Sequence, residues 1–308
     1  MTDAPPVGSS IALVVVNYGS HQLLERNLAS TARSGEVDVV VVDSFSSHDE
    51  RRAITAVCTA NGWQLVEPQE NVGFGRGMNL GVELALSRGA QWIVLLNPDL
   101  ELAADDVGSL VAIAQRDPEA LVAPRIVAPD GSPFAVTTTD LLLDDGTMRS
   151  SAKRPEPSDG RPFRPWLSGA CLALGADLWG RANGFDDGYF LYWEDVDFSR
   201  RVQESGGRLV VADDITAVHD EGGTQGRAGR TKTETYYYFN IRNRYLYAVR
   251  WLEADEQRRW RRNAPTAVRS VILQGGRKQL LTSVAPWRAA WRGVRDGRRL
   301  LRGGAPSP

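Results

Sequence analysis

A doubly wound α/β sheet is the fold this sequence predicts, on two observations. Residues 11–16, 37–42 and 92–96 are short runs that are apolar throughout and rich in Val and Ile. Strands apolar on both faces are the central strands of a mostly parallel sheet covered by helices. Segments with helical periodicity, 21–33, 49–61 and 78–88, lie around and between them, and alternation of strand and helix builds this architecture. A chain of 308 residues can bury a large core in one α/β domain or two smaller ones.

The remaining elements follow in order. Asp49 is placed to cap the second helix and Gly62 to stop it. In 71–79, Gly73, Gly75 and Gly77 precede the third helix. Pro, Ser, Asp and Thr are frequent over 128–165, which reads as an irregular excursion. Short strands are expected at 170–174 and 208–212, and an aromatic-rich helix at 236–250. Residues 253–302 read as one or two basic amphipathic helices, and 303–308 should fray. No internal repeat is present. The expected organisation is one main domain over 1–250, in two parts at 1–127 and 128–250. A helical extension over 251–308 completes it.

Composition excludes several classes. No apolar run approaches the roughly 20 residues of a membrane helix, and the first ten residues are polar, so no secretory signal is expected. Cys58 and Cys171 are the two cysteines, far apart, which suggests neither a disulfide framework nor a zinc site and suits a reducing cytoplasm. The net charge of −2 hides an asymmetry: from Arg250 onward there are 14 Lys+Arg against 4 Asp+Glu, and before it 22 against 34. Trp251, Trp260, Trp287 and Trp291 lie in the basic part. Basic residues mixed with Trp suit a membrane surface, on the inner face of the cell membrane, better than a nucleic-acid groove. A helical subdomain with a solvated basic face is the other reading.

In a doubly wound sheet, ligands bind beyond the carboxyl ends of the strands. Those ends read Asn17-Tyr18, Asp43-Ser44 and Asn97-Pro98-Asp99, all polar. The glycines of 71–79 let backbone approach a ligand, and a helix start offers free N–H groups to phosphate; a simple turn is equally open. The spacing matches neither the dinucleotide fingerprint nor a Walker loop. A carboxylate at Asp99 can hold a hard cation against a diphosphate, although Asn, Pro and Asp are also common turn residues. Glu194, Asp195 and Asp197 follow Tyr192 and Trp193. Burial against aromatics raises a carboxyl pKa and makes a general base, whereas acidic residues also simply favour a helix start. His219, next to Asp220, Glu221 and two glycines, reads as a metal or phosphate ligand or as a structural histidine. His21 and His48 read as incidental.

The order of these motifs resembles the family 2 glycosyltransferases with the GT-A fold, and within them the bacterial rhamnosyltransferase-like branch. The matching segments are Val14-Val-Val-Asn-Tyr18, Val41-Val-Asp43, Glu70-Asn-Val-Gly-Phe-Gly75, Leu96-Asn-Pro-Asp99, Trp166-Leu-Ser-Gly-Ala-Cys171, Gly184-Phe-Asp-Asp187 and Trp193-Glu-Asp-Val-Asp197, spread over about residues 10–250. The likeness extends to actinobacterial enzymes that add L-rhamnose to polyprenyl-diphosphate-linked N-acetylglucosamine. It implies a nucleoside-diphosphate sugar donor, a lipid-linked or saccharide acceptor, and Mg²⁺ or Mn²⁺.

The resemblance also implies roles for single residues. Asn17, Tyr18 and Asp43 would meet the donor's base. Asn71, Gly73, Phe74, Gly75, Asn79 and Asn97 would lie along the nucleotide and sugar. Asp99 and His219 would hold the metal. Asp195, with Glu194 beside it, would be the catalytic base of an inverting transfer, and Trp166, Ser168, Gly169 and Trp193 would shape the acceptor side, with Trp193 stacking on a sugar. Two positions depart from the pattern: Asn97 stands for the first Asp of the DxD metal motif, and Ser44 for the Asn that often follows the second strand's Asp. Three alternatives stay open: a UDP-sugar enzyme acting on a soluble acceptor, a sugar nucleotidyltransferase, and a non-catalytic sugar-nucleotide-binding protein. Asn17-Tyr-Gly-Ser-His21 after the first strand argues against the nucleotidyltransferase, which needs a Gly-rich, Arg-containing loop there.

Overall fold

In a computed structural model, residues 10–32, 37–132, 137–219 and 231–303 are described. The expected sheet is present. Strands β1 (Ile11–Asn17), β2 (Val37–Asp43), β3 (Gln64–Val66) and β4 (Trp92–Leu96) pair in parallel in the order β3-β2-β1-β4. Beyond β4 the sheet continues through β10 (Cys171–Gly175), β6 (Ala120–Val127), β11 (Arg208–His219) and β5 (Leu100–Glu101). β10 runs antiparallel to β4 and β6, while β6 and β11 are parallel to each other.

Strand alternation explains why the central runs are apolar at every position. Leu13, Val15, Val39 and Val41 point to one face, into a core with Leu24, Leu28, Ile54, Cys58 and the apolar side of α5 (Ala104–Arg116). Ala12, Val14, Val40 and Val42 point to the other, against Met78, Val82, Leu178, Trp179, Phe198 and Val202. Both faces are thus dry, which is what a polar residue every second position would have prevented.

Several boundaries differ from the sequence expectation. The first helical segment is α1 (His21–Leu23), a π-helical turn (Leu24–Leu28) and α2 (Ala29–Thr31). The second helix, α3 (His48–Asn61), is capped by Ser47, whose side chain accepts the Glu50 N–H, rather than by Asp49; Gly62 ends it at φ 70 as expected. The third, α4 (Phe74–Ser87), starts four residues before Met78 because Gly73, at φ 81, serves as its cap. Gly77 and Gly81 lie against the sheet, where a Cβ would stand 2.9 Å from Val16 and 2.4 Å from Val14. Those two glycines allow helix and sheet to meet closely.

Residues 128–165 are not simply irregular. They contain β7 (Thr138–Leu142), β8 (Met148–Ser150) and the start of β9 (Phe163–Leu167), a three-stranded antiparallel sheet in the order β8-β7-β9. Its polar composition is satisfied by ion pairs: Asp140 is fully buried and accepts two hydrogen bonds from Arg154. Next come α6 (Ala176–Ala182), α7 (Glu194–Glu204) and α8 (Glu234–Trp251). The expected strand at 208–212 extends to His219 after an irregularity between Ala212 and Thr216.

The basic tail forms four helices rather than one or two: α9 (Ala254–Arg262), α10 (Ala264–Leu273), α11 (Arg277–Thr282) and α12 (Ala285–Leu300). Its four tryptophans divide. Trp260 is 1% exposed and stacked on Tyr247 at 5.9 Å, and Trp251 donates its indole N–H to Asp197 at 2.6 Å. Trp287 and Trp291 face outward. α12 lies along α8, with Gly293 against the Tyr238 carbonyl and Gly297 against the Tyr245 ring. The N-terminal segment 1–9 and the final 304–308 lie outside the described residues.

Candidate active site

The polar strand ends converge. Asn17 ends β1 and is fully buried, its Nδ2 donating to Glu50 Oε1 at 3.4 Å. Glu50 also accepts the backbone N–H of His21 and faces its Nδ1 at 2.7 Å, so His21 joins the start of α1 to α3. Asp43 ends β2, equally buried. Arg51, one turn into α3, donates Nε to Asp43 Oδ2 at 2.7 Å and Nη2 to the Asp43 and Pro68 carbonyls. Burial pushes the Asp43 carboxyl up while Arg51 opposes that rise. Asp43 Oδ1 and Asn17 Oδ1 are buried without a hydrogen-bond partner among the described residues. Unsatisfied buried acceptors are costly, and both of these lie at the polar strand ends. Tyr18 is 54% exposed beside them. Ser44 donates to Asn71 Oδ1 at 3.0 Å, which also accepts the Gly73 N–H at 2.9 Å, so these side chains set the turn before α4.

Asn97-Pro98-Asp99 leaves β4. Asn27, 4% exposed in the π-helical turn, donates to the Pro98 carbonyl at 2.9 Å and pins the segment from behind. Asp99 is 6% exposed, with Oδ1 3.2 Å from His219 Nε2, so the two residues expected to share a ligand do meet. Asn97 Oδ1 is buried without a hydrogen-bond partner among the described residues. An amide oxygen and a carboxylate suit Mg²⁺ or Mn²⁺, and the imidazole favours the softer Mn²⁺ of the two. Among the described residues no three His, Cys, Asp or Glu side chains form a metal cluster, so a cation would need the diphosphate and water to fill its shell. The neighbours Asp220 to Gly223 lie outside the described residues.

Glu194 and Asp195 open α7, and the backbone ahead of them is strained: Tyr192 and Trp193 have φ of 64 and 75. Asn243 of α8, fully buried, donates Nδ2 to the Leu191 and Tyr192 carbonyls at 2.9 and 2.7 Å and holds that turn. Asp195 accepts the Gly169 N–H at 3.1 Å and the Val196 N–H at 2.9 Å. Ala170, next to Gly169, accepts the Asn97 N–H at 2.8 Å. A two-residue bridge therefore joins Asp195 to the end of β4.

The three acidic side chains have three environments. Asp195 is partly open, and burial lifts its carboxyl to about 6 against those two N–H bonds. Glu194 is 6% exposed, has Oε2 buried without a hydrogen-bond partner among the described residues, and is raised well above the usual range by burial and then by Asp195. Burial and mutual repulsion thus disfavour two negative charges on the pair, and they act most strongly on Glu194. Asp197 is an anchor: fully buried, it accepts from Trp251, from Arg201 at 2.6 Å and from Tyr189 at 3.3 Å.

The Gly-rich turn touches this pair. Phe74 N donates to the Phe190 carbonyl at 2.9 Å. A Cβ on Gly75 would lie 3.5 Å from Glu194 Cβ, and one on Gly169 3.3 Å from Asp195 Cβ and 3.6 Å from the Phe74 ring. Phe74, Gly75 and Gly169 therefore border the carboxylates. Asn79 does not reach this cluster: its amide braces Phe185 N, Phe185 O and Asp187 at 2.9–3.0 Å. Ser168 accepts the Ala170 N–H at 3.3 Å. Trp166 and Trp193 are 7% and 4% exposed in a core with Tyr247, Trp260 and Leu246. Trp193, expected to stack on a sugar, instead packs with Tyr247 at 5.7 Å and Trp260 at 6.5 Å between ring centres. Arg51, Asn27 and Asn243 carried no motif; a run of buried polar residues in an aromatic helix, Arg242-Asn243-Arg244, was the available signal for the last.

Comparison with known proteins is consistent with this geometry. The family model for glycosyl transferase family 2 matches residues 12–164. Over 253 residues, 74% of this chain and 79% of the relative, the sequence is 30% identical to an N-acetylglucosaminyl-diphospho-decaprenol L-rhamnosyltransferase of Mycobacterium tuberculosis. Among solved structures, GalNAc-T7 with UDP, GalNAc and Mn²⁺ superposes with a TM-score of 0.57 at 15% identity, covering 88% of this chain and 58% of that one. The mannosyltransferase PcManGT from Pyrobaculum calidifontis, in complex with GDP-Man and Mn²⁺, gives 0.54 at 15% identity over 99% and 91%. At that identity the structures show a shared fold, the GT-A arrangement of a mixed sheet flanked by helices.

Proposed function

The chain belongs to glycosyl transferase family 2, and on that premise we propose an inverting transfer of L-rhamnose from a dTDP donor to a hydroxyl of a polyprenyl-diphosphate-linked saccharide, for cell-wall or polysaccharide assembly at the inner face of the membrane. The donor and acceptor are suggested by the mycobacterial relative, whose own acceptor is diphospho-decaprenol-linked. The observation that carries the chemistry is the adjacent pair of carboxyls Glu194 and Asp195 at the start of α7, with Asp195 bridged by Gly169 and Ala170 to the end of β4.

In this reading Asn17 and Asp43 receive the base of the nucleotide, with Arg51 fixing the Asp43 carboxylate. The start of α4 lies along the diphosphate and sugar in this reading, where the helix dipole favours negative charge. Asp195 accepts the proton of the acceptor hydroxyl as its oxygen attacks C1 of the donor sugar. The bond from C1 to the diphosphate breaks on the opposite face, and the configuration inverts. Burial favours the protonated form of Glu194 beside it, which leaves the role of base to Asp195 in this reading. Asp99, His219 and Asn97 would hold Mg²⁺ or Mn²⁺, which when bound offsets charge on the departing diphosphate.

The test is hydrolysis of a panel of nucleotide sugars with and without Mg²⁺ or Mn²⁺, for the native chain and Asp99→Ala. The expected result is preference for dTDP-rhamnose, weaker donor binding on chelation, and no metal effect in Asp99→Ala. Preference for a UDP-sugar with a soluble acceptor would replace the donor and acceptor assigned here. Binding without turnover of any donor or acceptor would leave a sugar-nucleotide-binding protein.

A further inference from the structure

We propose that α11 and the outer face of α12 form a docking surface for an anionic lipid membrane, attached to the start of α8 where that helix meets the turn before Glu194. Leu281 is 88% exposed, Val284 76%, Trp287 53% and Trp291 63%. Among the described residues these are four of the five large apolar side chains more than half exposed, and they fall within eleven residues. Trp287 and Trp291 are one turn apart and share a face. The opposite face of α12, with Ala289, Ala290, Gly293 and Gly297, is buried against α8. The tryptophans therefore lie outside the core, with the Trp287 indole N–H donating to the Leu280 carbonyl at 3.2 Å, and close packing through glycine fixes which side of α12 carries them.

The charge around them names the partner. From Arg277 to Arg302 there are eight Lys and Arg against one acid, Asp296. Lys278, Arg288, Arg292, Arg295 and Arg298 are exposed, and the Arg295 guanidinium lies 5.1 Å over the Trp291 ring. Apolar and indole side chains ringed by cations match the boundary between acyl chains and anionic headgroups. A second copy of the chain would instead bring two cationic faces together.

Position links the surface to the chemistry. Gln279 of α11 accepts the Tyr237 hydroxyl at 2.8 Å and donates to the Lys232 carbonyl at 2.7 Å, and Arg288 pairs with Glu234. These contacts attach α11 and the first turn of α12 to the start of α8. One residue along, the Tyr236 ring packs edge-on to Tyr192 at 5.3 Å, two residues before Glu194. No helix among the described residues is long and apolar enough to cross a membrane, so contact through this face is of the interfacial kind. That the docked membrane also presents the acceptor rests on the function proposed above; the docking itself does not.

The experiment is co-sedimentation of the full chain with phosphatidylcholine vesicles, with and without phosphatidylglycerol, at low and high salt. Three proteins are compared: native, Trp287→Ser/Trp291→Ser, and Lys278→Glu/Arg298→Glu. Hydrolysis of the donor in solution and a thermal melt report that each is folded. The native chain should bind anionic vesicles at least about tenfold more tightly than neutral ones and release in salt, and each double variant should lose about tenfold or more with hydrolysis retained. Equal binding to both vesicle types, no binding, or unchanged binding by the variants overturns the proposal. So does self-association in sedimentation velocity that the Trp variant abolishes, which would make the face a contact between copies. Vesicle binding without transfer to any lipid-linked acceptor keeps the docking surface and removes the acceptor reading; transfer without vesicle binding does the reverse.

Discussion

Replacing Asp195 by Asn should stabilise the protein and nearly abolish its activity. Burial lifts the Asp195 carboxyl from 3.8 to about 6 in the folded chain. Folding therefore favours the protonated form, and an ionised Asp195 costs stability. At about 1.4 kcal/mol per pH unit, the cost is about 3 kcal/mol once the carboxyl is ionised in both states. The sign follows from the raised value. Below about pH 4 the group is protonated folded and unfolded, and the penalty is absent; it grows as pH rises through the interval and is complete above about pH 6. Asn has nearly the same shape, carries no charge, and its Oδ1 can still accept the Gly169 or Val196 N–H. Allowing for the weaker neutral hydrogen bond, a gain of about 1–3 kcal/mol at neutral pH is expected, shrinking toward zero near pH 4. Denaturant titration of both proteins at neutral and acid pH measures it. The same substitution should lower turnover by about two orders of magnitude with donor binding largely kept. Native turnover should fall about tenfold per pH unit below about 6, and the residual activity of the variant should lack that limb. A variant no more stable at neutral pH, a gain independent of pH, or near-normal turnover would refute the reasoning.

Two further outcomes test the supports of the site. Asn243→Ala frees the Leu191 and Tyr192 carbonyls and the two positive-φ residues they hold; with about 1–3 kcal/mol per unsatisfied group, kcat should fall at least about tenfold while the donor KM changes little, and an equal fall in both would mean a general loss of fold. Gly73→Ala would place a Cβ 2.2 Å from the Phe190 carbonyl at φ 81, so it should cost about 2 kcal/mol or more in a thermal melt and weaken nucleotide binding in a titration.

The sequence by itself determined the central sheet, because β1, β2 and β4 are buried on both faces and only continuous apolar runs allow that. It also marked the polar strand ends and the acidic start of α7, since a charge adjoining such runs has few explanations other than a ligand or a cap. Local patterning was silent where polar residues are satisfied at long range. The 128–165 excursion reads as loop, yet the buried Asp140 within it, paired to the exposed Arg154, allows a second sheet. Asp197 looks like its acidic neighbours and is an anchor only because Arg201, Trp251 and Tyr189 converge on it. The tail tryptophans are alike in sequence, but Trp260 falls between Tyr247 and Trp193 while Trp287 and Trp291 fall on the far side of a helix seated on α8. Spacing along a helix says which residues share a face. Which face meets the core, and which carboxylate keeps its proton, depends on neighbours distant in the chain, and those are set only when the tertiary structure forms.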